Sequence, residues 1–140
     1  MATTFGFFSD AALTTPLAAR LLFIQPVSSP TAVDKVVYFG SATASRKAMA
    51  NSDPGVDPIV VSITDAAGGS GSPASDVKLA LSSGGLAGAT GGAPLNLPAE
   101  INSGSGGAIA IHIRVLDSTH AFGLNNDLSL TTNTLAEFSV

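Results

Sequence analysis

The sequence predicts an all-β fold with little helix, and three observations predict it. Apolar residues alternate with polar or small ones along several segments, the period of two that sends successive side chains to opposite faces of a strand. Between those segments lie stretches rich in Gly, Ser, Asn and Pro, recurring about every ten residues. A helical apolar period is hard to find: the best stretch, Leu13 to Leu22, is interrupted by Pro16.

Taken in order, Thr3 to Phe8 reads as a first strand, closed by Ser9-Asp10. Arg20 to Gln25 reads as a second, ended by Pro26, and Lys35 to Phe39 as a third, ended by Gly40. The segment Ala42 to Ala50, with Arg46-Lys47 and Met49, reads as a solvated loop or one short helical turn. Ile59 to Thr64 places Ile59, Val61 and Ile63 on one face. Val77 to Leu81 points Val77, Leu79 and Leu81 inward, with Lys78 and Ala80 outward. Ile109 to Leu116 is the longest strand; Ile109, Ile111, Ile113 and Val115 share one face, and Ala110, His112, Arg114 and Leu116 the other. Leu128, Leu130 and Leu135 to Phe138 complete the set.

The glycine-rich stretches 66–74, 82–93 and 102–107 are turns between strands. None is followed by Lys-Ser/Thr or opens a helix, so no phosphate-binding loop is expected. The pattern predicts one domain over residues 1–140, a two-sheet β-sandwich of immunoglobulin-like or jelly-roll type.

Hydrophobic residues make up 45% of the chain, enough for a substantial core. Only 11% are charged, against roughly 25% in an ordinary soluble domain. Surface this poor in charge is either covered by Ser, Thr, Asn and Gly or buried by partners. The net charge is −4, and the six basic residues are scattered, only Arg46 and Lys47 being adjacent. No nucleic-acid partner is therefore expected, because phosphate binding needs a clustered basic face. There is no cysteine, hence no disulfide, thiolate metal site or cysteine nucleophile. The amino terminus lacks the basic and apolar regions of a secretory signal, and no apolar run approaches the ~20 residues that span a bilayer, so neither a leader nor membrane insertion is expected.

Residues able to carry chemistry are few, and no catalytic, cofactor-binding or metal site is expected. His112 lies on a strand and His120 in a loop candidate; pairing either with Asp117 or Ser118 fails, because neighbours on a strand point to opposite faces. Asn51, Asp53 and Asp57 flank an ordinary Pro54-Gly55 turn, with Asp65 and Asp76 at strand ends, and their spacing is not that of a calcium loop. Glu100 and Glu137 are the only glutamates, and Tyr38 is the only Tyr in a chain without Trp. That leaves no carboxylate pair for glycoside hydrolysis and no aromatic platform for a sugar.

Phe8-Ser9-Asp10-Ala11-Ala12-Leu13-Thr14-Thr15-Pro16-Leu17 resembles a pattern near the start of small structural proteins of tailed bacteriophages. The runs Val33 to Ser41, Pro54 to Asp65 and Val77 to Ser82 are similar to the same kind of protein, and together these segments cover about half of the chain. The resemblance implies a non-enzymatic virion component, an accessory tail or baseplate subunit or a capsid decoration, made in the host cytoplasm. Its implied partners are copies of itself and other virion proteins. A free-standing glycan-binding module for cell-surface attachment is the alternative, weakened by the missing aromatic platform.

Overall fold

In a computed structural model, which describes residues 3–17, 21–119 and 126–140, the architecture is organised around one long antiparallel pair. Strands β2 (Val33–Gly40) and β8 (Ile109–Val115) match Val37 with Ile111, Phe39 with Ile109 and Lys35 with Ile113. β1 (Gly6–Phe8) adds to one side of this pair and β5 (Val77–Ala80) to the other, giving the order β1-β2-β8-β5. The alternation in these segments explains the pairing. One face collects Val37, Phe39, Leu79, Ile111 and Ile113, all 5% exposed or less, so a slip of one residue would turn that whole row to water.

The remaining strands form two three-stranded antiparallel sheets. One has the order β10-β3-β7, with β3 at Arg46–Ala50, β7 at Glu100–Asn102 and β10 at Leu135–Ser139. The other has the order β6-β4-β9, with β4 at Val60–Asp65, β6 at Leu95–Asn96 and β9 at Leu128–Thr132. Chain order makes each sheet continue the other. β3 leads to β4, β6 to β7 and β9 to β10, and bonds cross every junction. The Leu97 N–H donates to the Ile59 carbonyl (2.7 Å), Asn133 N–H to Val60 (3.1 Å) and Asn51 N–H to Thr134 (2.9 Å). Residues 51–58 leave the middle strand as an excursion between these points. All three sheets are open, and they share one core, to which Val37, Phe39 and Ile111 contribute from the first, Ala48 and Ile101 from the second, and Val61 from the third.

The all-β reading with little helix holds: among the described residues the only helical pieces are three-residue 3-10 turns at Ala74–Asp76, Gly84–Leu86 and Ser105–Gly107. The sheets number three, two of them in continuation, where two were expected. Arg46–Ala50 is a strand, not a loop or helical turn, because β10 and β7 flank it and supply its ladder on both sides. Residues 21–25 are irregular, and Arg20 lies outside the described residues. Leu81 is 50% exposed because β5 ends one residue before it. Ala80, expected to face outward, is buried by the 3-10 turn at Gly84–Leu86, which packs on β5 and β8.

The second face of the first sheet is covered at its other end by residues 9–17. Both Asp10 carboxylate oxygens accept from the Thr14 N–H (3.1 Å each), Oδ1 also accepts from the Thr15 N–H (2.8 Å), and Oδ2 from the Thr14 hydroxyl (2.6 Å). These bonds close a turn in which Leu13 takes a positive φ of 58° and becomes 2% exposed. Its landing place is Gly40, where a Cβ would stand 2.9 Å from Leu13 Cδ1. The chain then returns along β1, the Leu17 N–H donating to the Phe7 carbonyl at 2.9 Å.

Candidate interaction surface

Of the candidate catalytic residues, His112, Asp117 and Ser118 lie among the described residues. His112 sits on β8 opposite Val36 and Ala80, half-buried, with no carboxylate or hydroxyl bonded to its ring among the described residues. His120 lies outside the described residues. Asp117 accepts from the Thr119 N–H (2.8 Å) and hydroxyl (2.7 Å), and its own N–H donates to Gln25 Oε1 (3.0 Å). Ser118 donates its N–H to Asp76 Oδ2 (3.1 Å). The Thr119 bonds close a local turn, and the other two tie it to residues 25 and 76. Asp57 accepts from the Ser52 hydroxyl (2.6 Å) within the 51–58 excursion, and Asp65 from the Ala67 N–H (2.9 Å). Among the described residues no three His, Asp or Glu side chains are grouped as metal ligands, and no helix is long and apolar enough to cross a membrane.

A cleft of about 800 Å³ runs between the end of the first sheet and β9, with residues 21–27 along its wall. Ile113, Val115, Leu128 and Leu130 line it, with Leu21 and Phe23 opposite. Gln25 ties this wall to β8, its Nε2 donating to the Val115 carbonyl at 3.2 Å. Lys35, on the core-facing row of β2, resolves its burial by placing its ammonium 5.5 Å from the Phe23 ring centroid. Asp127 closes one end; both its oxygens are buried and accept no hydrogen bond among the described residues.

The surface carries more apolar area than charge protects. Ile24 (76% exposed), Val140 (72%) and Val56 (70%) stand in water, with Leu22, Leu81, Leu116 and Phe138 at 40–50%. Three ion pairs are formed among the described residues: Arg114 with Asp34, Lys47 with Glu100 and Arg46 with Glu137. The first is bidentate, at 2.7 and 2.8 Å, and holds Asp34 below the usual aspartate range while raising Arg114.

Strand β10 is an edge of its sheet. Its bonds to β3 are phased by Asn51 N–H to Thr134 O (2.9 Å) and Val140 N–H to Ser45 O (3.1 Å). Ala136 and Phe138 therefore turn their backbone groups toward β3, whereas Leu135, Glu137 and Ser139 direct theirs away from the sheet. The Glu137 side chain is drawn to the amino-terminal segment: the Thr4 N–H donates to it at 2.6 Å, the Thr3 hydroxyl at 2.9 Å and the Thr4 hydroxyl at 3.0 Å, and Arg46 stands at 3.7 Å. Burial works to raise its pKa, but these donors outweigh burial and the carboxyl is held below the ordinary glutamate value of 4.5. Nothing in the composition of Leu135 to Phe138 distinguishes this edge from an interior strand; the neighbours on either side decide it.

Comparison with known proteins adds nothing to this geometry: no protein-family model matches the chain, and neither a curated protein nor a solved structure matches it.

Proposed function

We propose that the chain is a non-enzymatic structural subunit of a tailed-bacteriophage virion, an accessory tail or baseplate protein or a capsid decoration, acting through protein–protein contacts. In this reading the three sheets form a two-layer β-sandwich of immunoglobulin-like or jelly-roll type, the first sheet facing the two continuous ones. The observation that carries the reading is the pairing of scarce charge with exposed apolar side chains from Ile24 to Val140. An isolated monomer leaves such surface wet; a subunit covers it with neighbours, as obligate interfaces do. The resemblance of residues 8–17 supplies the kind of assembly, and the Asp10–Leu13–Gly40 contact gives that stretch a structural purpose with no catalytic part.

The test is direct. Purified particles from a host carrying the gene, digested and read by mass spectrometry, should contain the chain in fixed stoichiometry, and antibody against it should decorate them. Particles that assemble normally without it, and never contain it, would overturn the proposal.

A further inference from the structure

We infer that β10 is a self-pairing edge: two copies of the chain join antiparallel along Ala136–Val140, about a two-fold axis at Phe138. The inference rests on the reading of the chain as an assembly subunit and names its surface and partner. Other edges are partly bonded, short or beside the cleft. Phe7 of β1 has given its carbonyl to Leu17, and Val77 of β5 has given its carbonyl to the Gly92 N–H (2.8 Å). β6 is two residues between Pro94 and Pro98, β7 is three residues, and β9 borders the cleft. β9 and β10 each offer three alternate residues with outward donors and acceptors, Leu128, Leu130 and Thr132 in the one and Leu135, Glu137 and Ser139 in the other; Leu128 and Leu130 line the cleft, which leaves β10 as the edge clear of it. β10 carries neither proline nor lysine, and its one charge, Glu137, is engaged by Thr3, Thr4 and Arg46.

The side chains choose the partner and the register. Ala136, Phe138 and Val140 share one face, all apolar, and Phe138 and Val140 are exposed. The single charge of the strand, Glu137, is turned to the opposite face and held there by Thr3, Thr4 and Arg46. Centring the axis on Glu137 would set two carboxylates directly opposite each other, which is unfavourable. Centring it on Phe138 sets Glu137 against Ser139 of the second copy, Phe138 against Phe138, and Ala136 against Val140. The outward groups of Glu137 and Ser139 then bond reciprocally, and the two rings meet at a non-hydrogen-bonded pair, where side chains approach most closely. A segment whose own mirror register bonds Glu137 and Ser139 reciprocally and covers its apolar face is suited to a second copy of itself.

The chain has no cysteine, so one introduced thiol reports on the axis. Phe138→Cys places two sulfurs at a non-hydrogen-bonded antiparallel pair, Cα atoms about 4.5 Å apart, within disulfide reach. Under mild oxidation at matched concentration, Phe138→Cys should form covalent dimer at least about tenfold faster than Val56→Cys, a thiol on the exposed excursion. Adding Ser139→Pro, which removes an outward N–H and none of the β3 bonds, should slow it by a similar factor while the circular dichroism spectrum is unchanged. Equal cross-linking rates at 138 and 56 overturn the inference. So does a sedimenting oligomer that Phe138→Cys fails to trap, an outcome that leaves the assembly reading standing. Absence of the chain from purified particles, with rapid trapping at 138, would sink that reading and keep the edge pairing. A monomer at every concentration, whose β10 edge instead accepts a strand from another protein, also overturns it.

Discussion

Ile111 and His112 are neighbours in sequence and opposites in environment. Ile111 is fully buried against the shared core, while His112 is half-buried on the second face. Ile111→Asp places an unpaired carboxylate among apolar side chains and should cost about 3–5 kcal/mol in urea unfolding, with His112→Asp costing about 1 kcal/mol. Equal losses would mean the faces of β8 are interchanged. Glu137 gives a second residue-scale test. Its pKa is lower in the folded chain than in the unfolded one, so its contribution to stability is complete above the unfolded value and is lost as pH falls through the folded value. Asp10 and Asp34 are lowered too, by hydrogen bonds from Thr14 and Arg114 first of all, and titrate in the same direction. The urea midpoint should therefore fall between about pH 5 and pH 2, and Glu137→Gln should flatten part of that fall. An unchanged pH profile in Glu137→Gln would show that the Thr3–Thr4 contact adds nothing to the fold.

At the scale of elements, the turn over residues 9–17 and the end of β2 form one unit. A Cβ at Gly40 meets the Leu13 side chain, so Gly40→Ala should destabilise by about 1–2 kcal/mol through overpacking. Leu13→Ala should cost about 2–4 kcal/mol by emptying that site. Because Leu13→Ala removes the atoms that Gly40→Ala strikes, the double variant should lose less than the sum, a coupling readable by thermal unfolding. Strict additivity would mean Leu13 does not lodge there. The sequence made β2, β4, β5 and β8 legible because their apolar residues alternate and face a core. It hid β3, whose Arg-Lys-Ala-Met-Ala carries weak strand preference and is extended because β10 and β7 bond to it on both sides. It hid β6 and β7 through shortness, and residues 21–25 misled because apolar content without a pairing partner makes a cleft wall, not a strand. The β10 edge was not legible, since an edge is defined by what lies beside it in the fold.

For the whole molecule, the question is whether three sheets behave as one folding unit. Val37 of the first sheet, Ile101 of the second and Val61 of the third are each 2% exposed or less and belong to one contiguous cluster. Removing any sheet strips the others of their packing, so partial unfolding would expose apolar area with little compensation. A single cooperative transition follows. Tyr38, the only tyrosine in a chain without tryptophan, lies on β2 and reports the first sheet by fluorescence, while far-ultraviolet circular dichroism reports all three. The two signals should trace coincident urea curves. Val37→Ala, Val61→Ala and Ile101→Ala should each move that one curve to lower urea, by about 1–4 kcal/mol at constant slope. Two separated transitions, with Val37→Ala shifting only the tyrosine signal and Ile101→Ala only the other, would divide the chain into independent units and end the single-domain account.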